Sequence, residues 1–431
     1  MISVILRWDK CGVITATVIQ DNMKIISVVL APLKNKIRSN KKFVDTLLHI
    51  LDGVTDFRKS GMIKYDLDKL LCICLLISMR GKFTSFYHAS MFIKIRADYF
   101  RQLGLIEGNN IPSHDTLRRV FLNIDANELR DCLVNRIKGF IRKIVDRDSG
   151  SDEKVRLLSG DGKTFNGSGR KNSKRNVNVF NILDPSSELC LTSIPLDDKD
   201  SEIPTFQHAL KFFSLKNTMV TADALHCQRD TMSIILEKGG LFTVTVKDNQ
   251  SALKEVIVKT FDNNKDTIKK IEFNDCDYYI FPIDYELTEV EFSGTKSFIK
   301  MVSHKRKDQA DYNPEPQYFI SSSDNQQLIM ETIDNRWHIE SGYHWWKDDF
   351  LKEDECTFMD KNAIKVMATF NNITYALYRI ASAIFDDSCM AETRIRYEEC
   401  PEKMLEKLIP LMEKQNLTML LKQNMKGRKK S

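Results

Sequence analysis

The sequence predicts an α/β protein, a mixed-sheet core carrying a β-rich insertion and preceded by an all-α N-terminal domain. Three observations lead there. Between about residues 46 and 147, apolar side chains recur at three- and four-residue spacing, the signature of packed amphipathic helices. A short linker rich in Ser, Asp and Gly follows, Asp146–Lys154, and beyond it the pattern becomes short apolar runs punctuated by turn residues. In that second region three strand-like runs precede the first helical one, which restricts how a mixed sheet can be wound.

Composition sets the outer limits. A chain of 431 residues exceeds one typical core, so more than one domain is expected. With 42% hydrophobic and 29% charged residues it reads as a soluble, globular, intracellular protein. No apolar run approaches the roughly 20 residues of a membrane span, and ISVILRW at the start is too short for a signal peptide. Cys72 and Cys74, the one close cysteine pair, fall inside LLCICLLISM and suit buried side chains, not zinc or a disulfide. The net charge of +5 is only mildly basic, so local clusters matter more: Lys34–Lys42, Arg170–Arg175, His304–Lys307 and Lys426–Lys430 are candidates to face phosphates.

Along the chain, residues 1–45 form an extension without an assigned role, with Met23 as an alternative start. The helical domain, 46–150, contains TLLHILDGV, LDKLLCICLLISM, ASMFIKIRADYFRQLG and NELRDCLVNRIKGFIRKIV. Within it, Ile111–Phe121 combines a proline, a capping Ser or Asp, and an amphipathic run bearing Arg118 and Arg119. Those two arginines are candidate DNA contacts, although other interaction domains share the pattern.

The core, 151–385, opens with VRLLSGD, a strand ending at Asp161. NVNVFNIL and ELCLTSIPL flank the turn Asp184-Pro185-Ser186-Ser187 as a hairpin. EIPTFQHALKFF is a helix, NTMVTAD a strand ending at Asp223, QRDTMSIILEKGG a helix closed by Gly239 and Gly240, and LFTVTVK a further strand. This order matches the ribonuclease H-like architecture, in which the first and fourth strands lie side by side and bring Asp161 and Asp223 together. Alternating segments between about 263 and 323 form the β insertion. A helix from QQLIMETIDNRWHIESGYHWWKDDF then places Ile333, Arg336, Trp337, His344 and Lys347 on the face of Glu340. KNAIKVMATFNNITYALYRIASAIF is a last long helix, and 386–431 reads as a charged tail.

Asp161, Asp223 and Glu340 would repel one another if ionised together, so such a cluster normally binds a divalent cation. Oxygen-only ligands favour Mg²⁺ or Mn²⁺, and two ions about 4 Å apart would serve in-line attack on a phosphodiester. The plainer alternatives are Asp161-Gly162 as a turn, Asp223 as a helix cap, and Glu340 paired with Arg336. Asp348, Asp349, Glu353 and Asp354 compete with Glu340 for the third place. Arg336 and Lys347 are candidates to contact phosphates, against a structural ion pair. Trp337, Trp345 and Trp346 stack on bases or fill the core; His226 and His344 are secondary candidates for proton transfer.

The strings DFRKSGMIKYDLDKLL, NNIPSHDTLRRVF, GDGKTFNGS, DDKDSEIPTFQHAL, TADALHCQ, KGGLFTVTVKDNQ and RWHIESGYHWWKDDFLKED carry a resemblance across residues 46–385. With them the chain resembles the transposases of ISAs-type insertion sequences, or H-repeat-associated proteins, among the DDE transposases with a ribonuclease H-like core. The resemblance implies a catalytic and metal-holding triad of Asp161, Asp223 and Glu340, with Lys163, Gln228, Lys247, Asn249 and Gln250 near the site. It also implies an arginine four before the glutamate and a lysine seven after it, present as Arg336 and Lys347; the tyrosine of that signature is replaced by Ile333. The implied activity is Mg²⁺- or Mn²⁺-dependent cleavage at element ends and strand transfer into target DNA, by a homodimer on paired double-stranded ends. A catalytically inactive DNA-binding descendant and a ribonuclease H-like nuclease or resolvase are the competing expectations.

Overall fold

The computed structural model describes residues 4–8, 14–18, 44–133, 155–166, 177–184, 189–196, 202–283, 292–304, 315–385, 387 and 389–413. The expected linker Asp146–Lys154 lies outside them, as do the basic segments 34–42, 170–175, 305–307 and 426–430. Two short strands, β1 (Val4–Trp8) and β2 (Ile14–Val18), form an antiparallel pair in the N-terminal extension.

In the helical domain, α1 (Leu67–Ser78) is buried on nearly every side, which is why LDKLLCICLLIS shows no polar stripe. Burial pushes the thiols of Cys72 and Cys74 up, as befits inert core side chains. The run Ala89–Gly104, read from sequence as one helix, is broken at Arg96 between α2 (Phe86–Ile95) and α3 (Ala97–Gln102). The predicted start of α4 (His114–Asn123) holds: Ser113 Oγ accepts from the Thr116 amide at 3.3 Å, and Arg118 and Arg119 are exposed.

The core sheet contains β3 (Arg156–Phe165), β4 (Val177–Asp184), β5 (Leu189–Pro195), β6 (Thr218–Ala222), β7 (Leu241–Val246), β8 (Lys270–Phe273), β9 (Cys276–Pro282), β10 (Ser297–Ser303) and β11 (Gln317–Ser321). Their order is β5-β4-β3-β6-β7-β11-β10-β9-β8. β3 pairs antiparallel with β4 and parallel with β6, and β6 pairs parallel with β7. The first five strands thus have the ribonuclease H-like winding. The insertion strands extend the same sheet, because β11 pairs antiparallel with β7.

The helices of the core are α5 (Glu202–Phe212), α6 (Arg229–Glu237), α7 (Ser251–Asn263), α8 (Gln326–His338), α9 (Trp345–Asp349) and α10 (Lys361–Ile384). Gly239 closes α6 at φ +72°, as its sequence position suggested. α10 joins the two domains. Its Asn371 and Thr374 meet Ser78 Oγ at 3.0 and 3.1 Å, and its Tyr378 hydroxyl donates to Met79 O at 2.9 Å. Residues beyond 386 are not simply a charged tail: α11 (Met390–Tyr397) and α12 (Pro401–Glu413) bury Met404, Leu405 and Leu408, and Glu402 pairs with Arg80. Their apolar side chains recur at helical spacing among many charges, which masks them in a composition reading.

Candidate active site beside β3 and β6

β3 does not stop at Asp161. It runs on to Phe165 because β4 continues to pair with it, Asp161 opposite Asn181, after β6 has ended. Gly160 pairs with Ala222 in the parallel register, so Asp161 and Asp223, the next residue on each chain, emerge side by side. Asp223 also caps the short turn Ala224–His226, its Oδ1 accepting from the Leu225 amide at 3.1 Å. The capping reading and the site reading are therefore compatible.

A further carboxylate, unforeseen from spacing, stands at the first residue of α5. Glu202 Oε1 lies 3.1 Å from His226 Nε2, which is itself 3.8 Å from Asp223 Oδ1. His226 is fully buried, edge-on to Phe180 and Phe206, and its Nδ1 has no partner among the described residues. That assigns the proton to Nε2, facing the two carboxylates. Gly162 makes room for Glu202: a Cβ there would come within 2.8 Å of its carboxylate. The Asp-Gly step is thus a mid-strand close approach, not a turn.

Glu340 lies in a π-helical turn, Ile339–His344, between α8 and α9. Its backbone is placed, whereas its side chain is outside the described part. The wider turn adds a residue and breaks the face that α-helical spacing predicts. His344, four positions on, still reaches Asp161, Nδ1 to Oδ2 at 3.3 Å. Burial and the nearby Lys163 and Lys347 charges push His344 down to about 3, so its ring is neutral near pH 7. Ile333 packs with Ile329, Met330 and the apolar faces of β9–β11 in a satellite core.

Lys347 is 1% exposed. Its Nζ reaches Glu353 Oε1 at 2.8 Å, Asn372 Oδ1 at 3.0 Å and the Tyr343 hydroxyl at 3.2 Å. Lys163 is also buried, bonded to Asp348 and 3.2 Å from Glu353 Oε2. The structure therefore places both lysines in an ion cluster, with their own side chains almost wholly buried. Of the acidic neighbours of Glu340, Glu353 and Asp348 are held by lysines and Asp349 by Arg394 at 2.6 Å, whereas Asp354 Oδ1 is buried with no hydrogen-bond partner among the described residues.

Arg336 and Lys247 do share a cleft of about 440 Å³ with Asp223, Lys254, Glu315 and Tyr318. Asn249 and Gln250 brace the loop after Asp223, donating to Ala224 O at 2.7 Å and Cys227 O at 2.9 Å, and Gln228 donates to Leu225 O at 3.0 Å. Of the tryptophans, Trp346 is buried against Phe350, Tyr375 and Tyr378, while Trp345 is 58% exposed. Among the described side chains no group of three His, Cys, Asp or Glu is spaced to hold a metal ion. The donor chemistry nevertheless fits one: Asp161 within β3 and Asp223 just past β6 lie side by side near the turn that carries a third carboxylate, all hard oxygen ligands of the kind Mg²⁺ or Mn²⁺ takes. No described helix is long and apolar enough to cross a membrane.

Comparison with known proteins gives a consistent picture. Residues 142–377 match the family described as transposase DDE domain, and residues 48–136 match the DDE_Tnp_1-associated family. The H repeat-associated putative transposase YhhI of Escherichia coli (strain K12) is 26% identical over 351 residues, 76% of this chain and 88% of that protein. The H repeat-associated putative transposase YbfD of the same organism is 27% identical over 216 residues, 50% of this chain and 81% of that protein. A solved structure of the piggyBac transposase synaptic complex with hairpin DNA aligns at TM-score 0.36 and 12% identity, covering 90% of this chain and 82% of that one. The fold assignment rests on strand order, not on that alignment.

Proposed function

The chain belongs to the transposase DDE domain family, and from that premise we propose that it cuts DNA at the ends of its own element and joins the freed ends to a target. The single observation that carries the reading is the β3–β6 register, which sets Asp161 beside Asp223 opposite the Glu340 turn. These three carboxylates would hold Mg²⁺ or Mn²⁺, two ions in the full site, and the metal supplies Lewis acidity and a nucleophile at neutral pH. In the first step the oxygen of water bonds to phosphorus and the P–O3′ bond breaks, leaving a 3′ hydroxyl. In the second, that 3′ oxygen attacks a target phosphodiester and displaces one strand end.

The protein's own groups set the geometry. A neutral His344 donates from Nδ1 to Asp161 and leaves that carboxylate's charge intact. Arg336 and Lys247, in the cleft beside Asp223, present cations to the phosphates next to the cut bond. Trp345 stacks on an exposed base, and Arg118 and Arg119 on α4 meet duplex DNA outside the site. Two element ends held together call for a homodimer.

The test is cleavage of duplex carrying the element ends by wild type and by Asp161→Ala. The variant should lose at least about 10³-fold in rate. Equal rates would sink the assignment, and equal cutting of random duplex would move it to a nuclease.

A further inference from the structure

We propose that Glu353 is a positioning residue: by gripping Lys347 and Lys163 at once, it fixes the turn that carries Glu340 against the strand that carries Asp161. The inference rests on the metal-site reading above.

The cluster is built from both sides of that site. Lys163 is two residues beyond Asp161 on β3, hence on the same face of the strand. Lys347 follows the π turn on α9, three residues after His344, the group that touches Asp161. Glu353 reaches them with different oxygens: Oε1 pairs with Lys347 at 2.8 Å and accepts from Asn371 of α10 at 2.8 Å, while Oε2 stands 3.2 Å from Lys163 as an ion pair outside hydrogen-bond geometry. Asp348 closes the set through Lys163, so two cations meet two anions. Glu353 itself is completely buried.

A lysine ammonium has three N–H groups. All of those on Lys347 are engaged, by Glu353, Asn372 and Tyr343, and its side chain is almost wholly enclosed. It has no donor left for a phosphate. Removing one partner of a buried, hydrogen-bonded ion cluster strands the other charges, so such a cluster tolerates few alternative arrangements. A cluster that ties β3, α9 and α10 together therefore selects one placement of the intervening turn. Outer partners of this kind typically govern metal affinity by about 10- to 100-fold.

The experiment compares full-length wild type, Lys347→Met, the charge-balanced Glu353→Gln/Lys347→Met, Asn371→Ala and Asp161→Asn. Three quantities are read: Mn²⁺ affinity by calorimetry without DNA, kcat and KM on end-containing DNA with Mg²⁺, and the salt dependence of binding to random duplex. The double variant should bind Mn²⁺ about tenfold more weakly and lose at least about tenfold in kcat with KM unchanged. Lys347→Met should keep the wild-type salt slope, whereas a phosphate contact would lower it by about 0.9. Should the double variant fold poorly, Asn371→Ala keeps all four charges and should show the same loss of Mn²⁺ affinity at smaller amplitude. Wild-type Mn²⁺ affinity and kcat in the folded variants, or a reduced slope in Lys347→Met, would overturn the proposal alone. Unchanged Mn²⁺ binding in Asp161→Asn would overturn it together with the metal site.

Discussion

At Gly162 the missing Cβ decides how close Glu202 comes to the strand of Asp161. In Gly162→Ala the flexible carboxylate would move by a fraction of an ångström, so stability should fall by less than about 1 kcal/mol while kcat on end-containing DNA drops at least about tenfold. Equal melting with unchanged turnover would show that Glu202 has no part in the site. At Glu353 burial alone would raise the carboxyl; Lys347 and Lys163, with bonds from Lys347 and Asn371, override it and hold it down at about 2. Its folded value lies below its unfolded one, near 4.3, so its stabilisation is full above about pH 5 and is lost as pH falls toward 2. Urea titrations should show wild type losing on the order of 3 kcal/mol over that window, and Glu353→Gln/Lys347→Met losing less. Asp161 and Asp223 were legible because each follows a run of apolar, strand-forming residues in sequence, although β3 itself runs on past Asp161. Glu202 was not, and Glu353 showed only as a rival to Glu340 and not as a partner of lysines, since nothing local marks a carboxylate whose partners, His226 and Lys163, come from other elements.

The π turn is the element on which sequence reading went astray. Positions four and seven after Glu340 share a face in an α-helix, yet His344 faces Asp161 while Lys347 faces the interior. One extra residue per turn does this, and apolar periodicity carries no sign of it. Strand order, by contrast, was readable because β3 to β7 are separated by clear turn and helix signals; the extent of β3 past Asp161 was not, because it depends on pairing with β4. Within the turn, a Cβ added at Gly342 would meet no heavy atom of the described residues within 4 Å. Gly342→Ala should therefore raise stability by about 0.5–1 kcal/mol through the unfolded chain and leave DNA cleavage intact. Loss of cleavage in a stabilised variant would mean that the turn must flex during the reaction.

Over the whole molecule, the sequence suggests a helical domain tethered to a catalytic core, but the two share one apolar interior. A single cluster runs from Leu71 and Phe121 through Val179 and Phe242 to Tyr378 and Leu408. Polar ties reinforce it: Asn362 Nδ2 donates to Phe121 O and Ile124 O, both at 2.9 Å, and Arg80 reaches Glu402 at 3.4 Å. The boundary seen in sequence is a change of pattern along the chain, and patterns do not reveal which apolar faces meet. Chains of this length commonly unfold in stages when each domain has its own core. Here removing either half would expose the other's buried surface, so a single transition is expected in urea. Three of the four tryptophans, Trp337, Trp345 and Trp346, belong to the core segment and Trp8 to the N-terminal extension, so in a Trp8→Phe background tryptophan fluorescence follows the core, whereas far-ultraviolet dichroism also follows the N-terminal helices. The two midpoints should coincide. Tyr378→Phe, which deletes the bond to Met79 O, should lower stability by about 1 kcal/mol and shift both midpoints down together. A dichroism midpoint that shifts while the fluorescence midpoint stays would show that the helical domain folds on its own.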